Sequence, residues 1–273
     1  MDAAGAGTRA ESGFAAPPPL LWCDGAHGAR ENMRRDSALL EAAAAGELDG
    51  TVLRLFAFDP PGITLGRSQA PERELDLDRL RRDGLEWAMR PTGGRAIFHE
   101  HEWTFSLVTR PGPGGWAPDP PSAYARTCAL LLRGLRSLGV PVELAAGSPR
   151  GVGAPRDRDG PAAPCFASTA RHELLLHGRK FAGIAQRLVR GALLQQGSLL
   201  LGPGHLRLAD YLPLPPERRE VVRGALARAS AHADGPAASG ATLADLAGAL
   251  ARELPGARRA DGGAGPVPVG PAG

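Results

Sequence analysis

Lysine is almost absent from this 273-residue chain: of 32 basic side chains 31 are arginine, and the single lysine is Lys180. Arginine supplies surface charge and ion pairs almost anywhere, but it does not serve as a compact point donor whose pKa moves on burial. The composition therefore singles out Lys180 as an amine with a task, the alternative being compositional drift with one survivor. Cysteine is scarce too. Cys23, Cys128 and Cys165 are an odd count at irregular spacing, which suits neither a disulfide framework nor a zinc site, so reduced thiols and no bound metal are expected. No run approaches the roughly 18 apolar residues of a membrane helix, and no apolar stretch follows a basic start. A cytoplasmic protein with no membrane contact is the expectation. The net charge of +3 comes from arginines spread along the whole chain, without a dense basic run or interleaved aromatics, which argues against a nucleic-acid partner. The motifs G-x-x-x-x-G-K-[ST], G-x-G-x-x-G, His-Glu-x-x-His and G-x-S-x-G are all missing, which removes the common nucleotide-binding, zinc-protease and serine-hydrolase classes.

What is present is enough apolar residue, 43%, for a full-sized core. One domain is expected at residues 19–256. The ends, 1–18 and 257–273, are rich in Ala, Gly, Pro and Arg with no hydrophobic period, and read as disordered tails. A helix is predicted from Ala26 to Ala45 with Gly46 as its stop, then strands at 51–58 and 63–65, a short helix at 76–82 and a strand at 86–90. Residues 95–109 read as a strand pair, because Trp103, Phe105 and Leu107 alternate with Thr104, Ser106 and Val108. Ser122 to Leu138 is the clearest amphipathic helix, with Cys128 on its apolar face. Residues 146–164 make a long loop, a kind that is usually mobile or functional. Strands follow at 172–176, 180–188 and 192–201, the first two joined by the tight turn His177-Gly178, and helices near 215–232 and 242–253, the last capped by Thr242.

Two segments carry candidate chemistry. Arg90-Pro91-Thr92-Gly93-Gly94-Arg95-Ala96-Ile97-Phe98-His99 sets paired glycines between strands, where missing Cβ atoms let a ligand approach exposed N–H groups; an ordinary turn fits the same residues. His99 alone reads as a satisfied strand histidine. Cys165 ends the long loop, a station where a thiol stays accessible, and Lys180 lies fifteen residues on, across the predicted hairpin. The two side chains could meet, and an ammonium nearby would favour a thiolate; an inert cysteine is the other reading.

Arg90 to His99 followed by Thr104-Phe105-Ser106, and Gly178-Arg179-Lys180-Phe181-Ala182-Gly183-Ile184-Ala185-Gln186-Arg187 followed by Leu194-Gln195-Gln196-Gly197-Ser198-Leu199-Leu200, together resemble the lipoate-protein ligase and octanoyltransferase family. Asn32-Met33 with Asp36, and Pro60-Pro61-Gly62-Ile63-Thr64-Leu65-Gly66-Arg67-Ser68-Gln69, extend the resemblance over roughly residues 20–253. It implies an α+β fold, a mixed and largely antiparallel sheet flanked by helices, shared with the catalytic domain of biotin ligases and related to class II synthetases. Cys165-Phe166 before the Lys180 hairpin resembles the LipM-type octanoyltransferase branch. What this implies is transfer of an octanoyl group from octanoyl-acyl carrier protein to a lysine of lipoyl domains through a thioester on Cys165, with Lys180 as the second catalytic group and no cofactor. Arg90, Gly93, Gly94, Arg95, His99, Gly183, Ala185 and Gln186 would bind substrate, and Leu65, Phe98, Phe105 and Phe181 would form the acyl slot. Two alternatives stay open: a lipoate-protein ligase using ATP and Mg, and an amidotransferase moving octanoyl between lipoyl-domain proteins. Gln196 stands where many relatives have histidine, Ile184 where many have serine, and Arg34-Arg35-Asp36-Ser37 replaces an apolar-Asp-Glu pattern.

Overall fold

Runs rich in Leu, Val and Phe alternate with helices bearing apolar stripes, and a computed structural model, which describes residues 17–112, 115–145, 173–233, 240–263 and 265–268, shows how they pair. The order is β1 (Leu20–His27), α1 (Ala29–Ala45), β2 (Val52–Phe58), β3 (Gly62–Leu65), α2 (Pro71–Glu74), α3 (Leu77–Arg82), β4 (Glu86–Met89), β5 (Ile97–His99), β6 (Glu102–Thr109), α4 (Pro120–Ser137) and β7 (Val142–Leu144). There follow β8 (Leu174–Leu176), β9 (Arg179–Lys180), β10 (Ala182–Val189), β11 (Ala192–Leu200), a 3-10 helix (Pro203–Tyr211), α5 (Pro216–Ala229), α6 (Leu243–Arg252) and β12 (Arg258–Asp261). Helix ends obey local chemistry. Gly46, at φ 81°, closes α1 in the left-handed region and donates its N–H to the Ala42 and Ala43 carbonyls. Asp119 accepts from the Ser122 N–H at the start of α4, and Thr242 and Asp245 cap α6 reciprocally.

The main sheet has the order β10-β11-β6-β2-β1-β12, antiparallel from β10 to β2 and parallel from β2 to β12. One face carries Leu53, Leu55, Phe105, Leu107, Leu193 and Leu199 against Leu131 and Leu135 of α4 and Leu246 and Leu250 of α6. Each such fully buried side chain contributes about 1.5–3 kcal/mol. The opposite face holds Val52, Val108 and Leu194 under Leu39, Leu40 and Ala43 of α1. Further along, it turns polar at Arg54, Thr104, Ser106, Gln196 and Ser198, all of them buried. Two small sheets, β4-β3-β5 and β7-β8-β9, complete the sheet structure. Among the described residues no helix is long and apolar enough to cross a membrane.

Four expectations change. Residues 95–109 are not a strand pair: β5 joins β3 and β6 lies between β11 and β2, with His101 at φ 51° turning the chain between the sheets. Alternation reports which face a residue takes, not which strand lies beside it. The run 180–188 is two strands, because the Phe181 N–H bonds to Leu174 while its carbonyl takes the Leu200 N–H, so the chain passes from one sheet to another there. β1 was not foreseen; Asp24 and Gly25 interrupt its apolar start, and Gly25 at φ 83° marks a register shift. The stretch from 257 on is not all tail, since Arg258–Asp261 pairs with β1 and the Trp22 indole donates to the Gly262 carbonyl at 3.1 Å. An edge strand held by backbone bonds and showing most of its side chains to water leaves no hydrophobic period in sequence. Residues 1–16, the stretch 146–164 and Cys165 lie outside the described residues.

Candidate active site

Arg54, in the middle of the apolar run Val52–Phe58, is 0% exposed and faces α1. Its Nε donates to Asp24 at 2.7 Å, Nη1 to Asp36 at 2.7 Å and Nη2 to the Asn32 side chain at 2.7 Å. A buried guanidinium needs this, since it has five donors and no tolerable unpaired state. Asp36 passes the network on, accepting from Ser106 Oγ at 2.7 Å and Gln196 Nε2 at 2.6 Å. Gln196 Oε1 in turn accepts from Thr92 Oγ1 at 2.7 Å. Helix α1 thus tethers the loop 90–95 through Gln196.

Within that loop, Arg90 is buried and donates to the carbonyls of Gly93 at 2.8 Å and Arg95 at 2.8 Å, holding the turn closed. Gly94 has φ +97°, a conformation L side chains rarely adopt, and its carbonyl is so close to Gly66 that a Cβ on Gly66 would lie 2.1 Å from it. Gly93 faces open space. Arg95 Nη1 is buried without a hydrogen bond among the described residues.

Beside the loop, β5 and β6 place a second polar network. His99 Nδ1 lies 2.6 Å from Glu102 Oε1, which also accepts from Thr104 at 2.9 Å and Ser198 at 2.9 Å. His99 Nε2 lies 2.7 Å from Thr64 Oγ1, and Arg90 Nη1 reaches that hydroxyl at 3.3 Å. Both imidazole nitrogens are thus engaged, Nε2 with the Thr64 hydroxyl and Nδ1 with the Glu102 carboxylate. The Phe58 ring stacks on the imidazole, 3.9 Å between centroids.

A narrow cleft of about 30 Å³ opens between these networks. Met33, Phe56, Phe58, Ile97 and Ile184 give it apolar walls, and Arg90, His99, Thr104, Gln196, Ser198, Gly183 and Ala185 line the rest. Arg90, His99, Gly183 and Ala185 of the expected binding residues therefore meet here. Gly93, Gly94, Arg95 and Gln186 do not line this cleft, and exposed Gln186 accepts from the Gln195 amide at 3.1 Å. The expected acyl-slot residues are elsewhere: Phe105 and Phe181 in the core under α4, Leu65 and Phe98 in a separate cluster where Phe98 stacks on Tyr211. Strand alternation is the reason, since Ile97 and His99 face the cleft and put Phe98 behind, as Thr104 puts Phe105 behind.

Lys180 is buried, and its ammonium lies 2.8 Å from Glu173 Oε1, seven residues back across the turn at His177 and Gly178. Tyr124 and Cys128 of α4 lie within reach of the same carboxylate's field; burial first, then Glu173, push the Cys128 thiol up to about 12, against the lowering by Tyr124, so it stays protonated. Among the described residues no group of three or more His, Cys, Asp or Glu side chains could hold a metal ion. Sequence reasoning missed Arg54, Asp24, Glu102 and Glu173. The available signal was the lone charge inside an apolar strand: Arg54 in Val52–Phe58 and Glu102 before Trp103.

A model of the lipoyl protein ligase A/B catalytic domain matches residues 28–231, the span that contains every side chain of this site except Asp24. The chain belongs to this family. Two octanoyltransferases named LipM are similar to it: one from Symbiobacterium thermophilum, 41% identical over 175 residues, covering 63% of this chain and 61% of the relative, and one from Kyrpidia tusciae, 36% identical over 219 residues, covering 80% and 75%. The first match thus spans less than two thirds of that relative's length. Among solved structures, the fold resembles the bipartite lipoate protein ligase of Thermoplasma acidophilum, with TM-score 0.63, 19% identity and coverage of 90% of this chain and 87% of that one. It also resembles a lipoate-protein ligase A bound with ATP, with TM-score 0.60, 21% identity and coverage of 90% and 88%. At these identities the structures speak for the lipoyl-ligase fold: β6 and β11 bring the Thr104 and Gln196 rows of the cleft together in an antiparallel pair, and α1 closes over them.

Proposed function

We propose that this lipoyl-ligase-family protein is an octanoyltransferase, moving an octanoyl group from octanoyl-acyl carrier protein to a lysine of lipoyl-domain acceptors through a thioester on Cys165. The likeness to curated octanoyltransferases carries this reading. The buried Lys180–Glu173 pair supports it, because the chain's single lysine is held out of water by a specific carboxylate rather than spent on the surface. In the first half-reaction the Cys165 thiolate adds to the donor carbonyl, the C–S bond to the carrier's arm breaks, and the proton shed by Cys165 ends on the departing thiol. In the second, the acceptor amine attacks the Cys165 thioester; a C–N bond forms, the C–S bond breaks, and the amine's proton returns to Cys165. Lys180 would favour the thiolate by its charge, with Glu173 fixing where that charge sits. The Gly183–Ala185 backbone, which lines the cleft, would present N–H donors to the oxyanion. Thioester exchange is nearly isoenergetic and amide formation is downhill, so the reaction needs neither ATP nor metal.

The test is intact mass spectrometry after incubation with octanoyl-acyl carrier protein without ATP. A single hydroxylamine-labile octanoyl adduct on wild type and none on Cys165→Ala is expected. Lipoyl-domain modification that appears only with ATP and free lipoate, and survives Cys165→Ala, would overturn the reading in favour of a ligase.

A further inference from the structure

A second and larger hollow, about 440 Å³, lies next to the narrow cleft and shares Arg90 with it. That volume falls within the roughly 300–1,000 Å³ of small-molecule sites. Strand β10 connects the two: Gly183 and Ala185 line the cleft, and Arg187 and Val189, on the same face of the strand, line the hollow. At about 3.3 Å per residue the hollow begins roughly 7 Å beyond Ala185. Its walls differ in character. One is basic, with Arg67, Arg187 and Arg190 converging beside Arg90, and Glu41 is the sole acid among the lining residues. The other is apolar, with Leu40 and Met89.

Some exposed arginines in this protein answer a carboxylate, as Arg81, Arg133 and Arg207 do. Arg67 and Arg190 make no ion pair and no side-chain hydrogen bond among the described residues, and Arg187 uses only Nη1, on the Pro91 carbonyl at 3.1 Å. Convergent unpaired guanidinium groups repel one another unless an anion joins them, and their fork geometry matches phosphate oxygens. The apolar wall would take a hydrocarbon portion of the same ligand.

We infer that this hollow binds the phosphodiester of the donor's phosphopantetheine arm, with the thioester end reaching along β10 into the cleft. The inference rests on the transferase reading and names the surface by which that donor is held. A nucleotide triphosphate offers the same chemistry, but it has no thioester to place at the adjoining cleft, so the donor arm is the occupant assigned.

The experiment measures kcat and KM for octanoyl-4′-phosphopantetheine, octanoyl-pantetheine and octanoyl-acyl carrier protein with wild type and with the double variants Arg67→Gln/Arg190→Gln and Arg67→Lys/Arg190→Lys. Both side chains are exposed and unbonded, so folding should survive, and circular dichroism checks it. Wild type should prefer the phosphorylated donor by about tenfold in KM, as two charge-assisted contacts allow. The glutamine pair should lose that preference and the lysine pair should keep most of it. A preference unchanged in the glutamine variant would overturn the inference while leaving the transferase reading intact. Absence of any octanoyl adduct in wild type would instead remove the reading beneath it, and a raised KM for ATP in the glutamine variant would then assign the hollow to a nucleotide.

Discussion

Replacing Arg54 by methionine tests the network that ties helix α1 to the sheet. The guanidinium is fully buried and its four hydrogen bonds go to Asp24, Asp36 and both the side chain and carbonyl of Asn32. Methionine fills much of the volume, so the packing loss is small and the electrostatic loss dominates. Asp24 keeps Arg35 at 2.6 Å, but Asp36 is left with only the neutral Ser106 and Gln196 and no countercharge. Removing one partner of a buried pair costs about 3–5 kcal/mol. With a urea m-value of about 2.5 kcal/mol/M for a chain of this size, the midpoint should fall by roughly 1–2 M. Arg54→Met/Asp36→Asn should recover part of the loss, with a coupling of about 1–3 kcal/mol in the double-mutant cycle. Equilibrium urea unfolding followed by circular dichroism reads all three variants. A midpoint shift below about 0.4 M, near 1 kcal/mol at that m-value, would refute the claim that this cluster is dry and mutually dependent. Because Asp36 also holds Gln196 and hence Thr92, the single variant should raise KM more than it lowers kcat.

Other consequences follow from the same geometry. Glu173→Gln removes the carboxylate beside Lys180, so transfer should fall on the order of 100-fold with circular dichroism unchanged, and full activity would show that the pair is not part of the chemistry. Met33→Ala opens the wall of a cleft of only about 30 Å³, so decanoyl should gain on octanoyl in competition assays; an unaltered chain-length ratio would place the acyl chain elsewhere. His205 is pushed down from 6.5 to about 4, chiefly by burial, so its neutral form favours the fold above pH 6.5 and that advantage is lost as pH falls toward 4. Up to about 3 kcal/mol should disappear over that window, and His205→Gln should flatten the pH profile of the urea midpoint if the assignment holds.

Where a residue's role depends on its immediate neighbours, the chain was legible. Gly46 and Thr242 mark helix ends because caps are local, and Cys128 falls on the buried face of α4 because the apolar period is local. The solitary Lys180 stood out by composition, and the turn at His177-Gly178 needed only its own backbone preferences. Linked motifs, each weak alone, carried the family resemblance in the correct order along the chain.

The networks were not legible, for a physical reason: a hydrogen-bond partner is set by distance in space. Arg54 meets Asp24 thirty residues away, and Gln196 meets Asp36 across 160. The partner of Lys180 and the cleft's apolar walls also emerged only on folding, since strand alternation chose Ile97 over Phe98 and Thr104 over Phe105. β12 shows the limit most plainly, because Arg258–Asp261 has only Ala260 to pack inward and becomes a strand chiefly through the free edge that β1 offers. Sequence by itself determined the caps, the faces and the reactive candidates; tertiary structure decided which buried charge answers which, and so where the site lies.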